Sequence, residues 1–174
     1  MHNLRPIGLA INKVLKNYLR VFILITFFIL VLIFFLIFNK NTLIPQSVMN
    51  LKKTLNFSIY YPQSIPGGYS FSRESLLNNN QQKVAIYVFK DQANSIYMSQ
   101  EYKPHNLDMN LFTQNFINKK NIFTTFGPAT IGEYQKNVIS TLVIGNDWII
   151  INTNTSTPNP YSIETIIAQS LVQV

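Results

Sequence analysis

Cysteine is absent from the 174 residues of this chain, and histidine occurs only at His2 and His105. The first absence excludes disulfide bridges, cysteine-based zinc sites, thiol catalysis and the lipid attachment of a lipoprotein. The second excludes a pair of histidine ligands within one domain, because a long apolar segment separates the two residues. We therefore predict no metal site, no cofactor and no catalytic or cofactor-binding residue.

Charged residues are also scarce, at 12% of the chain, about half the usual share. Acidic residues are missing before position 56, where seven lysines and arginines give a charge of +7, whereas basic and acidic residues cancel after it. The basic surplus flanks an apolar segment, a position where Lys and Arg contact lipid headgroups. We therefore predict a lipid bilayer as a partner and no nucleic acid, although the isoelectric point is near 9.6.

The longest apolar run, VFILITFFILVLIFFLIF, extends from Val21 to Phe38 with Thr26 as its one polar residue. As a helix this run is about 27 Å long, close to the ~30 Å hydrocarbon thickness of a bilayer. We predict a transmembrane helix over residues 19–39. A cleaved signal peptide is disfavoured because the run is too long and no small-residue cleavage site follows it. A buried core helix is disfavoured because the domain that follows is too small to surround it.

Orientation follows from the basic residues on the two sides of this run. Four precede it and three follow it: Arg5, Lys13, Lys16 and Arg20, then Lys40, Lys52 and Lys53. The excess on the N-terminal side predicts a single-pass protein of the cell membrane with a cytoplasmic tail, residues 1–18, and an extracytoplasmic C-terminal domain. The tail is either an extension of the spanning helix or an interfacial helix. Residues 40–55 form a linker with a short helical stretch.

Beyond position 56 the hydrophobic period changes from 3.6 to 2, which is typical of strands. Strands are predicted at 69–77, 84–89, 95–102, 122–126, 129–134, 137–144 and 148–153, with hairpins through Asp91 to Asn94 and through Gly145-Asn146-Asp147. Helices are predicted at 107–117, capped by Asn106 or Asp108, and after Pro160, capped by Ser162. This order predicts an α+β domain over residues 56–174 with an antiparallel sheet and two helices.

Several runs of this domain resemble an uncharacterised family: YYPQSIPGGYSF (Tyr60 to Phe71), SQEYKP (Ser99 to Pro104), GPATIGEY (Gly127 to Tyr134), DWIIINT (Asp147 to Thr153) and IETIIAQSL (Ile163 to Leu171). The family consists of small signal-anchored proteins of reduced-genome candidate-phylum bacteria. It is distantly similar to the extracytoplasmic domain of unknown function of anti-sigma-like membrane proteins. The resemblance implies a fold and a location but no catalytic residues. The N-terminal tail is too short for a sigma-binding domain, which speaks against that role here.

Direct inspection leaves few chemical motifs. Asn106, Asp108 and Asn110 imitate the start of a calcium loop, but Leu111 and Ile117 stand where glycine and glutamate are required. The sequence does not exclude a catalytic serine–lysine pair, because both residue types are common. The aromatic residues of the domain could line a groove for a glycan or a peptide, or they could pack in the core. We expect them to pack in the core. They are Tyr60, Tyr61, Tyr69, Tyr87, Tyr97, Tyr102, Phe71 and Phe89.

The sequence thus favours a non-enzymatic membrane protein whose extracytoplasmic domain is a binding or assembly module for an unknown ligand or for a membrane or envelope protein partner. One alternative is a regulatory or envelope-stress sensor subunit acting through a membrane partner. Another is an envelope hydrolase whose active-site serine lies in no recognisable sequence motif. A cleft containing a serine–lysine pair would favour the enzyme, and an exposed aromatic face the binding module. We expect Trp148 to anchor the core against the terminal helix, and Asp147 and His105 to be dispensable.

Overall fold

The computed structural model describes residues 25–29, 44–79 and 82–174. The chain divides into two compact units, Met1–Lys40 and Asn41–Val174. In the first unit residues 25–29 are helical, whereas the rest of the predicted transmembrane helix and the predicted tail lie outside the described residues. Among the residues that the structure describes, no helix is both long enough and apolar enough to cross a bilayer.

The second unit combines helices with antiparallel sheets, in agreement with the predicted fold class. Its elements in chain order are α1 (Gln46–Lys52), β1 (Tyr60–Pro62), β2 (Ser70–Asn79), β3 (Gln82–Lys90), β4 (Ser95–Tyr102), α2 (Met109–Thr113), β5 (Ile117–Thr124), β6 (Gly127–Tyr134), β7 (Asn137–Ile144), β8 (Asp147–Asn154), α3 (Pro160–Gln169) and β9 (Leu171–Gln173). Two of these helices, α2 and α3, lie within residues 56–174, as predicted, and α1 lies where a short helical stretch was predicted.

Seven strands form one antiparallel sheet in the order β2-β3-β4-β8-β7-β6-β5, and β1 pairs with β9 in a second, two-stranded sheet. Both predicted hairpins are present. Between β3 and β4, the Asp91 carboxylate accepts hydrogen bonds from the amides of Ala93 and Asn94. Between β7 and β8, Gly145 has a φ of 60°, a left-handed conformation that glycine adopts without a steric penalty.

The core fills the space between one face of the large sheet and the layer formed by α1, β1, α3 and β9. We call this side the inner face; Tyr87 of β3, Met98 of β4 and Ile149 of β8 belong to it and are fully buried. The opposite side, which carries Tyr97 of β4 and Trp148 of β8, is the outer face, because successive side chains of a strand point to opposite sides. The register of β3, β4 and β8 agrees with this assignment.

Most of the aromatic residues pack in the core, as expected. Tyr61 contacts three other rings at centroid distances of 5.9 to 6.1 Å. Its partners are Phe71, Tyr87 and Phe89. Because edge-on ring pairs add to the free energy of apolar burial, this cluster stabilises the contact of β1 with the inner face of β2 and β3.

Trp148 is buried, but the expected contact with the terminal helix is wrong. Its ring meets Phe112 edge-on at a centroid distance of 5.0 Å, and its Nε1 donates to Thr141 Oγ1 at 2.7 Å. Since Asp147 and Ile149 point to the inner face, alternation places Trp148 on the outer face. There, Phe112 of α2 packs against the ring.

The helix predicted over residues 107–117 is shorter in the structure. Asp108 is its N-cap, as predicted, and its Oδ1 accepts from the amides of Asn110 and Leu111 at 2.8 and 3.3 Å. The helix ends at Thr113, and β5 begins at Ile117 with a bulge at Asn118, whose φ is 54°. The helical spacing of Leu111, Phe112 and Phe116 therefore placed this boundary too late, because Phe116 lies beyond the end of the helix.

Two other details differ from the sequence expectations. The terminal helix begins at Pro160 after Asn159, which is left-handed with a φ of 52°. Ser162 therefore lies inside the helix and does not cap it. The segment predicted as a linker, residues 40–55, contributes α1 to the domain, because Val48 is fully buried in the core.

Candidate functional site

An open cleft of about 760 Å³ lies at the end of the sheet where β4 ends and β8 begins. We call it the Asp147 cleft. Five segments of the domain form its walls: the end of α1 with the loop that follows, β1, the end of β4, the β7–β8 turn, and β9. Its lining residues are Lys52, Leu55, Asn56, Phe57, Ser58, Tyr60, Tyr102, Ile144, Gly145, Asn146, Asp147, Gln173 and Val174.

Asp147 is the acidic side chain among the lining residues of this cleft, with 6% of its surface exposed. It is the first residue of β8, and its position on the inner face aims it toward the cleft. Burial raises the pKa of its carboxyl group, and the backbone amide and hydroxyl of Ser58 partly oppose that rise by hydrogen bonding to the charged form. The carboxylate is therefore a hydrogen-bond acceptor held largely away from water.

Tyr102 stands directly beside this carboxylate. The register of β4 and β8 pairs Tyr102 with Asp147, and paired residues of adjacent antiparallel strands have side chains on the same face within contact distance. Tyr102 is 38% exposed. An accessible aromatic ring and a buried carboxylate thus lie next to each other at the mouth of the cleft.

Tyr60 is positioned beside the cleft by an unusual contact. Gln100 is fully buried on the inner face of β4. Its Oε1 accepts from the Tyr60 amide at 2.8 Å, and its Nε2 donates to the Tyr60 carbonyl oxygen. A side-chain amide thus pairs with β1 as a neighbouring strand would. Burial, followed by the nearby Asp147 carboxylate, raises the pKa of the Tyr60 phenol.

Ser58 connects these groups. Gln173 Nε2 donates to Ser58 Oγ at 3.3 Å, and the hydroxyl also interacts with Tyr60 and Asp147. Lys52 and Ser58 line the same cleft, so the structure brings together a serine and a lysine of the kind that the sequence left open. Within the described part of the chain, however, no hydrogen bond joins Lys52 Nζ to Ser58 Oγ.

Other polar residues named from the sequence lie elsewhere. His105 is exposed in the connection between β4 and α2, outside the cleft, and Asp108 caps α2. No group of three or more histidine, aspartate or glutamate side chains in the described residues could hold a metal ion. Tyr97 is 47% exposed but lies on the outer face.

A second buried carboxylate, Glu164 of α3, is fully enclosed between the helix and the sheet. Burial raises its pKa well above the ordinary value of glutamate, and nearby Ser140 and Thr153 only partly oppose the rise. Neither these two hydroxyls nor the Glu164 oxygens have a partner with full hydrogen-bond geometry among the described residues. Because it is not accessible, Glu164 belongs to the packing of α3 and not to a ligand site.

Sequence reasoning missed the cleft because its residues come from distant parts of the chain. One local signal could have identified it, at Asp147, which the sequence had led us to expect to be dispensable. Asp147 occupies an inward position at the start of the apolar strand WIII, where a carboxylate is costly unless it has a function or a partner.

Comparison with known proteins assigns no family. No family model matches the sequence, and no curated protein is significantly similar to it. One similar solved structure is the crystal structure of MucB in complex with MucA(peri); it is 14% identical with a TM-score of 0.38, and the match covers 66% of this chain and 36% of that chain. The chain therefore spans about a third of the length of that protein. The similarity is distant, and the predicted family resemblance stays a prediction.

Proposed function

We propose that this protein is a non-enzymatic, single-pass membrane protein whose extracytoplasmic domain binds a ligand in the Asp147 cleft. The observation that carries the proposal is the pairing of exposed Tyr102 with buried Asp147 at the mouth of an open cleft. A volume of about 760 Å³ lies within the range of small-molecule sites, which combine aromatic walls with a few fixed polar groups.

The cleft is also held in place before any ligand arrives. Gln100 fixes the backbone of Tyr60, and Lys103 N donates to Asn146 O at 2.6 Å, which joins the end of β4 to the β7–β8 turn. Preorganised groups lose less conformational entropy on binding, so these contacts favour a binding role.

The hydrolase alternative receives less support from this geometry. A nucleophilic serine needs a base within hydrogen-bond reach and donors aimed at the developing oxyanion. Ser58 instead directs its amide and hydroxyl toward a carboxylate. Its role in the proposed site is to orient Asp147.

Photo-crosslinking from the two exposed tyrosines of β4 tests the site. Benzoylphenylalanine replaces Tyr102 on the cleft side or Tyr97 on the outer face of the full-length protein, and cells are irradiated. We expect a cross-linked product from position 102 and none from position 97. A product from position 97 alone would contradict the proposal and favour the regulatory alternative, because a protein partner would then contact the outer face. No product from position 102 also contradicts it.

The absence of cysteine makes the proposed topology directly measurable. Single cysteines are introduced as Gln92→Cys, in the exposed β3–β4 turn, and as Asn3→Cys in the tail. We expect a membrane-impermeant maleimide to label Gln92→Cys in intact cells and to label Asn3→Cys only after permeabilisation. The opposite pattern would invert the topology and remove the extracytoplasmic assignment.

A further inference from the structure

We infer that the Asp147 cleft binds a neutral oligosaccharide that contains N-acetylated amino sugars, an inference that rests on the proposed binding function. The first reason is the pairing of Tyr102 with Asp147. A pyranose ring has a face of C–H groups and a rim of hydroxyl groups. The tyrosine ring packs against the face while the adjacent carboxylate accepts hydrogen bonds from the rim, and a bond to an ionised acceptor largely removed from water is strong.

The second reason is the number of amide side chains around the cleft. Asn56, Asn146 and Gln173 all line it, and each primary amide is both a donor and an acceptor. An acetamido group likewise presents one N–H donor and one carbonyl acceptor, beside a methyl group that suits an aromatic neighbour. These three side chains therefore match the substituent that distinguishes N-acetylated amino sugars from simple hexoses.

The third reason is the charge of the cleft. Lys52 and Asp147 both line it, so an ionised carboxylate is balanced by an ammonium group. A cationic ligand would be attracted by Asp147 but repelled by Lys52, and an anionic ligand the reverse, so the two charges together favour neither sign. A neutral ligand that is rich in hydroxyl groups can form hydrogen bonds with both groups without meeting a like charge.

The fourth reason is that the strands around the cleft offer little edge to an extended peptide. β4 and β8 have a neighbour on both sides, and β1 is paired with β9 on one side and with the Gln100 side chain on the other. β9 pairs with β1 alone, but its other edge is only three residues long. Recognition of a peptide by strand addition requires a free edge. An oligosaccharide instead needs side chains, and these are what the cleft presents.

Isothermal titration calorimetry of the full-length protein with tetra-N-acetylchitotetraose tests the inference. The protein is held in dodecylphosphocholine micelles, because a detergent with a sugar headgroup would compete for the site. We expect saturable binding that weakens by about tenfold or more in Tyr102→Ala and by about tenfold in Asp147→Asn. Tyr97→Ala, which removes a somewhat more exposed tyrosine from the other face of the same strand, is expected to bind as the wild type does.

The deacetylated tetramer, chitotetraose, is the matched ligand control because it replaces each acetamido group with an ammonium group on the same backbone. We expect it to bind at least about tenfold more weakly. Equal or tighter binding of this cationic tetramer would overturn the inference, as would loss of binding in Tyr97→Ala. If neither sugar binds but benzoylphenylalanine at position 102 still forms its product, the saccharide inference fails and the proposed binding function stands. If that product is also absent, both fail.

Discussion

Asp147 and Glu164 are both carboxylates on the inner side of the sheet, but their surroundings give them different roles. Asp147 borders the cleft and interacts with the amide and hydroxyl of Ser58. Glu164 is sealed by α3 against β7 and β8 and has no exposed surface. Burial raises both pKa values, yet only the first group can meet a ligand. A shifted pKa therefore marks a functional residue only where the group is also accessible.

Glu164 should make the domain less stable as the pH rises. Because its pKa is raised, the folded state holds the proton more tightly than the unfolded state. Its contribution to stability is complete below pH 4.5, the ordinary value, and is lost as the pH rises through the folded-state pKa. We expect Glu164→Gln, which has a similar shape but no charge, to gain stability relative to wild type between pH 4.5 and pH 8.

Urea denaturation across this pH range measures the difference. Tyr161 is close to Glu164, but burial and then Glu133 raise its pKa to about 12, so it does not titrate in this range. If the two proteins lose stability in parallel as the pH rises, Glu164 does not titrate as described.

Trp148→Ala should cost about 3 to 5 kcal/mol of unfolding free energy. The change removes the contact with Phe112 and leaves the buried Thr141 hydroxyl without its donor. Trp148→Phe keeps an aromatic ring and loses the hydrogen bond, so its cost should be about 1 to 3 kcal/mol. His105→Ala, at an exposed position, should stay within about 0.5 kcal/mol of wild type. Denaturation followed by circular dichroism gives these values. If Trp148→Ala unfolds with the same free energy as wild type, Trp148 does not stabilise the packing on the outer face.

At the scale of elements, the packing of the segment after α2 onto β6 depends on one glycine. A Cβ added at Gly132 would lie 2.8 Å from Phe116 Cβ and 3.2 Å from the Ile117 carbonyl oxygen. No free space is available, because this segment lies directly on the strand. The backbone of Phe116 and of Ile117, the first residue of β5, would have to move away from β6.

Gly132→Ala should therefore destabilise the domain by about 1 to 3 kcal/mol, the usual cost of overpacking. The matched control is Gly67→Ala, since a Cβ at Gly67 meets nothing within 4 Å. We expect no loss of stability for the control. Thermal unfolding of the two variants makes the comparison, and equal melting temperatures would show that the Phe116 segment adapts without cost.

Elements with a local sequence signal were predicted well, and those without one were missed. The hairpins of β3 with β4 and of β7 with β8 have alternating apolar residues and turn residues between them. β1 and β9 have three residues each, and Tyr60 pairs with Gln173 across almost the whole domain. Such a pairing leaves no periodicity in either segment. The candidate site was missed for the same reason: Tyr102 and Asp147 lie side by side only through the non-sequential pairing of β4 with β8.

At the scale of the whole molecule, the described domain begins earlier than position 56. Val48 of α1 is fully buried, and Ile44, Leu51 and Leu55 pack against the same core. Burying a valine side chain is worth about 1.5 to 3 kcal/mol. The part of the chain between the predicted anchor and the first strand is therefore a source of stability.

A fragment of residues 44–174 should be soluble, monomeric and cooperatively folded. A fragment of residues 50–174 should be less stable by about 2 kcal/mol or more, because it lacks both Val48 and Ile44. Val48→Ala within the longer fragment isolates this side chain from the rest of α1. Urea midpoints with size-exclusion chromatography measure the series. Equal midpoints for the two fragments would show that α1 adds nothing to the core.

The pairing of β1 with β9 also has a kinetic consequence. These strands join positions more than a hundred residues apart, and closing so long a loop is entropically unfavourable until the intervening chain is ordered. We expect β1 to dock last, after the seven-stranded sheet has formed. Ser58, Tyr60 and Gln173 reach the cleft only in that step. A ligand of the cleft would therefore bind fully folded molecules and not partly folded ones. Binding of the ligand would then report that folding is complete.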